Sequence, residues 1–224
     1  MVMDKISILL IVVGIIIDTL FIINDNKYHN GLSIILKTLA SLCFVLLGIH
    51  NYKGNGLLVI VALSFDMLGD FILILRNINK KHKDLIFVSG TISFLIAHIL
   101  FSIYLITLNH KAIKLGIIFN LILFTIFALT YLRKLNIDLK MKIFGSTYVF
   151  FIMFTSGASI SNYIYNASFS NLLFMIASII FVSSDLVLIV HKFMKSTNTL
   201  QIIYRVLYYI SQLLLATYVG LISL

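Results

Sequence analysis

The amino-acid sequence predicts an all-α protein, a polytopic membrane bundle of eight transmembrane helices. Three observations predict it. Hydrophobic residues make up 61% of the 224 and charged residues 11%, with a mean hydropathy of +1.09, which leaves too little polar surface to cover a water-soluble domain of this size. The apolar residues fall into eight runs of about 20, each long enough to cross a hydrocarbon core as a helix. The connections are short and rich in Asn, Lys, Gly and Asp, so residues 1–224 are read as a single integral membrane domain.

The first run, 6–23, is followed by Asn24-Asp25-Asn26 with no small-x-small cleavage site, and is read as a retained helix and not a signal peptide. The second, 33–49, carries Lys37 and the single cysteine, Cys43, which has no internal disulfide partner and reads as a packing residue. The third, 57–75, follows the turn Gly54-Asn55-Gly56 and carries Asp66 and Asp70. The fourth, 85–107, holds His98 between Thr91 and Ser102; the fifth is 113–132. The sixth, 141–161, carries Tyr148, Thr155 and Ser159, and the seventh, 170–190, sets Ser178, Phe181 and Asp185 on one stripe. The eighth, 201–223, lines up Tyr204, Tyr208, Ser211 and Gln212 on one face.

A net charge of +9 could signal nucleic acid, but the basic residues sit in loops and not along one amphipathic face, and no phosphate-binding loop is present. No nucleic-acid partner is expected; the charge is topology information. One side of the membrane collects twelve Lys and Arg, among them Arg76, Arg133, Lys134, Lys140, Lys142 and Arg205, against four on the other, Lys5, Lys53, Lys111 and Lys114. That places the first side in the cytoplasm of a cell-membrane protein and both termini outside. Asp70 and Asp185 then each lie five residues before the cytoplasmic end of an inward-running segment, roughly 7 to 8 Å deep at 1.5 Å per residue. Asp18 and Lys37 reach a similar level.

A carboxylate at membrane depth costs several kcal/mol or more and is a functional-site hypothesis by default. Asp70 and Asp185 are therefore candidate functional residues, and their matching positions suggest chemistry. Asp66 lies four residues before Asp70 and shares its face; two such neighbours in a low-dielectric medium do not both ionise, so one holds a proton. The plainer reading of Asp66 is a hydrogen bond to a neighbouring helix. The serines around Asp185 allow close helix approach and lack a histidine base, so they read as packing groups and not nucleophiles. Gln212, about eleven residues into its segment, faces the bundle interior or a cavity. Lys37 either carries its ammonium to the headgroups along its long stem or pairs with Asp70, Asp185 or a lipid phosphate. His98 is the one histidine deep in a segment; His29, His50, His82, His110 and His191 lie in loops or at segment ends, so a metal site with three or more ligands is not expected, nor a cofactor.

Gly-Asp-Phe-Ile-Leu-Ile-Leu-Arg at 69–76 echoes Ser-Asp-Leu-Val-Leu-Ile-Val-His at 184–191, and His98 and Gln212 follow the two acids at nearly equal spacing. A weak repeat of four helices plus four is the expectation.

Lys37, Gly69-Asp70, Ala97-His98, Tyr148 followed by Met153, Ser184-Asp185 and Tyr208-Tyr209-Ile210-Ser211-Gln212 occur in an order and spacing that resembles the YhhN-like, or lysoplasmalogenase, family of eight-helix membrane proteins. The resemblance implies hydrolysis of the vinyl-ether bond of a lysoplasmalogen, a lysophospholipid, to a fatty aldehyde and a glycerophospho-headgroup. It also implies Asp70 and Asp185 as the catalytic pair, with Lys37, Asp66, His98, Tyr148, Tyr208 and Gln212 toward the substrate. Three positions depart from the pattern: Thr38 stands where proline often follows the lysine, Phe101 where a tyrosine often follows the histidine, and Asp66 where a small hydroxyl residue is commoner. The alternative class is a transporter or lipid- or ion-handling protein that uses the same aspartates as a proton or cation site.

Overall fold

A computed structural model describes residues 4–28 and 30–222; His29 lies outside them. Eight long helices follow in order: α1 Lys5–Lys27, α2 Gly31–His50, α3 Leu57–Ile74, α4 Lys83–Leu108, α5 Ile113–Thr130, α6 Leu139–Tyr165, α7 Phe169–Phe193 and α8 Asn198–Val219, with short 3-10 turns between some of them and no strand among the described residues. All eight, some with the turn that extends them, are long and apolar enough to span a membrane. The all-α, eight-helix expectation is met.

Polar residues at the boundaries explain where the helices begin. Asp4 Oδ1 accepts the Ser7 amide at 2.8 Å to cap α1, and Asn30, Asp138 and Ser168 cap α2, α6 and α7 in the same way. Gly56, before α3, sits at φ +87°, a left-handed conformation that only glycine adopts without strain. Helix α1 continues four residues past the apolar run, to Lys27. The polar residues there have partners: Asn24 Nδ2 donates to Asn30 Oδ1 and Ser33 Oγ, each at 2.9 Å, and Asn77 Nδ2 donates to Asp25 Oδ1 at 2.6 Å. Asp25, a loop residue by hydropathy, is therefore helical and buried.

The chain divides into two compact units, 1–100 with 212–224, and 101–211. The division falls inside α4 and α8 and not in a loop. In the first unit α1 packs on α2 and α2 on α3, around a cluster of Phe21, Ile22 and Ile74 with Ile34 and Leu36 against it. Glycines bring α3 and α4 close: a Cβ on Gly69 would come within 2.7 Å of the Phe94 ring, and one on Gly90 within 2.6 Å of Leu73. In the second unit α6 packs on both α5 and α7. A Cβ on Gly157 would stand 2.7 Å from the Gly116 carbonyl oxygen, so the α5–α6 backbones meet where small residues face each other. Ile8, Leu9 and Ile16 on α1 and Ile118, Leu121 and Ile122 on α5 are exposed, as lipid-facing residues are.

Candidate functional site

The predicted site residues fall into groups that each belong to one unit. In the first unit Asp70, on α3, is buried, and its Oδ2 lies 3.2 Å from Lys37 Nζ and accepts a hydrogen bond from Ser41 Oγ at 2.5 Å. Lys37 and Ser41 are four residues apart on α2, one turn above the other on the same face. An ammonium and a hydroxyl from one helix thus converge on a carboxylate from the next. The Lys37 ammonium also stands 5.4 Å from the centre of the Phe21 ring, within the range of a cation–π contact. Of the two readings of Lys37, the pairing with Asp70 is the one observed, and the side chain is only 8% exposed.

One turn before Asp70, Asp66 is fully buried, and its Oδ2 accepts from Gln212 Nε2 at 2.9 Å. The inward-facing Gln212 of the sequence reading is thereby explained: its amide satisfies an acid on α3. Both members are 0% exposed. His98 is buried in the portion of α4 belonging to this unit, and Asp18 is buried on α1.

In the second unit Asp185, on α7, is 5% exposed, and its Oδ2 accepts from the Tyr148 hydroxyl of α6 at 2.5 Å. One turn earlier on α7, Phe181 meets the ring of Tyr208 edge to face, centroids 5.6 Å apart, so the tyrosine of α8 is held by an aromatic contact. Ser184 Oγ donates to the Tyr204 carbonyl at 2.8 Å, and Ser178 and Ser159 exchange a hydrogen bond at 2.7 Å. These serines join helices, as their type suggested. Phe101 packs edge to face on Phe174 at 6.0 Å; this aromatic position is filled by hydrocarbon and not by a phenol.

Ser41 was missed by the sequence reading. The available signal was its place one turn after Lys37, at a level where a hydroxyl needs a partner. Among the described residues no cluster of three or more His, Cys, Asp or Glu side chains is placed to hold a metal ion.

A model of the YhhN family matches residues 32–219, a span that contains Lys37, Asp66, Asp70, His98, Tyr148, Asp185, Tyr208 and Gln212 but not Asp18. The chain belongs to the YhhN family. No curated protein and no solved structure matches this YhhN chain. What its membrane carboxylates can do chemically follows from their partners. Asp70 has an ammonium and a hydroxyl beside one oxygen, whereas Asp185 has a neutral phenol donating to one of its oxygens.

Proposed function

We propose that this YhhN protein is a membrane hydrolase that cleaves the vinyl-ether bond of a lysoplasmalogen or related ether lysolipid, with Asp185 as proton donor and Asp70 as its ionised partner. What carries the reading is the unlike environment of the two membrane acids: a phenol donates to Asp185 at 2.5 Å, whereas an ammonium stands 3.2 Å from Asp70. Two carboxyl groups in contrasting settings divide acid and base duties in other hydrolases of acetal-like bonds, including the glycosidases.

The reaction needs one proton delivered to carbon and one water. Asp185 transfers its proton to the alkenyl carbon β to the ether oxygen, and the C=C π electrons form that C–H bond. The adjacent carbon becomes an oxocarbenium ion, which the Asp70 carboxylate stabilises. Water adds to that carbon as the Asp70 carboxylate takes one of its protons, giving a hemiacetal. Asp70 then passes this proton to the ether oxygen as the carbon–oxygen bond breaks, and the hemiacetal hydroxyl gives its proton back to the Asp185 carboxylate, which releases the fatty aldehyde and the glycerophospho-alcohol and restores both acids. An ammonium has three donors, so Lys37 can serve Asp70 and a substrate phosphate together. The more basic membrane side faces the cytoplasm.

The test is fatty-aldehyde release by purified protein in detergent, from a lysoplasmalogen and from its alkyl analogue. Release from the alkenyl lipid alone is expected. Asp70→Asn and Asp185→Asn should each abolish it, and the double variant should be no worse than either, because groups that act as a unit are not additive. Wild-type turnover in either single variant overturns the reading. Turnover without a proton gradient separates a hydrolase from a proton-coupled carrier.

A further inference from the structure

We propose that the groove between α5 and α6 holds one anionic glycerophospholipid, its chains against the apolar walls and its phosphate at Lys142. The groove lies wholly within the second unit and contains none of the candidate site residues. It has a volume of about 500 Å³ and is walled by Phe124, Leu132, Ile143 and Phe150, with Lys142 and Ser146 among its polar members.

Its origin is visible in the packing of the two helices. Toward the start of α5 and the end of α6, Gly116 and Gly157 bring the backbones together. At the opposite end two large rings take the place of glycines: Phe124 and Phe150 meet edge to face at 5.5 Å. The groove opens beside them. Ile143 on its wall is 60% exposed, so the walls are open to the bilayer and a lipid chain can enter from the side.

Charge identifies the occupant. The α5–α6 connection and the first turn of α6 carry Arg133, Lys134, Lys140 and Lys142 against a single acid, Asp138, and of these four Lys142 lines the groove. Asp138 Oδ2 accepts from the Met141 amide at 3.2 Å as the cap of α6, and Asp138 is not among the residues that line the groove. Arg133, Lys134 and Lys140 are exposed, while Lys142 is half-buried, as suits a side chain whose long stem can cover apolar surface while its ammonium reaches polar surroundings. An apolar trough lined by one cation, with three more close to it in the chain, matches hydrocarbon chains ending in a phosphate, and a net-negative headgroup fits it better than a zwitterionic one.

The experiment is native mass spectrometry of the full-length protein in detergent with phosphatidylglycerol, phosphatidylcholine and, separately, glycerol phosphate. Wild type should retain phosphatidylglycerol over phosphatidylcholine and should not retain glycerol phosphate. Lys142→Gln should cut phosphatidylglycerol retention about fivefold, and Lys142→Arg should restore it. Thr147→Phe, which fills the groove from an exposed position, should remove retention of both lipids. Thermal unfolding in detergent without lipid should be unchanged in each variant, which distinguishes lost binding from lost fold. Equal retention of the two lipids, retention of glycerol phosphate to the same extent, or indifference to both Lys142→Gln and Thr147→Phe overturns the proposal. Aldehyde release is not the readout, so the outcome is independent of the hydrolase assignment.

Discussion

Removing the positive charge beside Asp70 tests the premise that this acid is ionised. In Lys37→Met the side chain keeps its approximate length and apolar stem, but Asp70 Oδ2 loses an ammonium at 3.2 Å and retains the Ser41 hydroxyl at 2.5 Å. The two charged side chains are 8% and 7% exposed, so water cannot replace the missing partner. Breaking such a pair from one side costs about 3–5 kcal/mol, whereas neutralising both sides is close to neutral, because the pair itself gains little over its desolvation. Lys37→Met alone should therefore destabilise by about 3 kcal/mol or more, and Lys37→Met with Asp70→Asn should recover most of that loss. The assay is unfolding of the four proteins of the cycle in one detergent, by denaturant or heat. Additive single effects would refute the reasoning: Asp70 would then be neutral in the folded protein, and its role as the ionised partner would go with it.

Tyr148→Phe keeps the ring and removes only the hydroxyl that meets Asp185 at 2.5 Å; a hydrogen bond between neutral groups contributes about 0.5–1.5 kcal/mol. If it aligns the protonated acid for proton transfer, kcat for aldehyde release should fall by about 2- to 13-fold with KM little changed, and an unchanged kcat would remove Tyr148 from the mechanism. Asp66→Asn preserves an oxygen that can accept from Gln212 Nε2 at the observed 2.9 Å, so it should lower stability and turnover far less than Asp70→Asn; equal losses in both would contradict the division of labour between the two acids. Gly69→Ala puts a methyl 2.7 Å from the Phe94 ring and should destabilise by about 1–3 kcal/mol, relieved by Phe94→Leu in the same chain; a Gly69→Ala protein as stable as wild type would show that the ring has room to move. Hydrogen bonds from Ser7 and His50 hold the Asp4 carboxyl down at about 2, below its ordinary 3.8, so its contribution to the start of α1 is complete above the ordinary value and is lost as pH falls through about 2. Amide exchange at residues 7 and 8 should be unaffected from pH 7 to pH 5 after correction for the intrinsic rate and should be accelerated throughout in Asp4→Ala; loss of protection already near pH 5 would mean the cap does not work this way.

The eight helices and the two membrane acids were legible because each is a contrast of polarity along one dimension. A run of about 20 apolar residues has few soluble interpretations, and a carboxylate inside it has no cheap one. Interhelical partners are not written in that dimension. Periodicity groups Lys37 with Ser41 and Asp66 with Asp70 on their own helices, but which faces meet depends on how each helix is rotated and how near its neighbour lies. That is why Lys37 kept several possible partners until its 3.2 Å approach to Asp70 was seen, and why Ser41 went unnoticed. The end of α1 was misplaced for a related reason: hydropathy falls at Asn24, yet Asn77 reaches Asp25 from fifty-two residues away at 2.6 Å, and a long-range partner lets a polar turn remain helical.

Gly69 carries this one step further. Beside Asp70 it stands in one of the motifs that carry the family resemblance, but the space at its missing Cβ is occupied by the Phe94 ring, so its first duty is to let α4 approach α3. That approach does bear on the acid, because Asp70 follows directly on the same turn and any displacement of α3 at residue 69 moves its carboxylate relative to Lys37 and Ser41 on α2. The small residue and the charged one are thus coupled through helix position and not through shared chemistry. A packing change at 69 should loosen an ion pair at 70, whereas a change of charge at 70 leaves the contact between Gly69 and Phe94 intact.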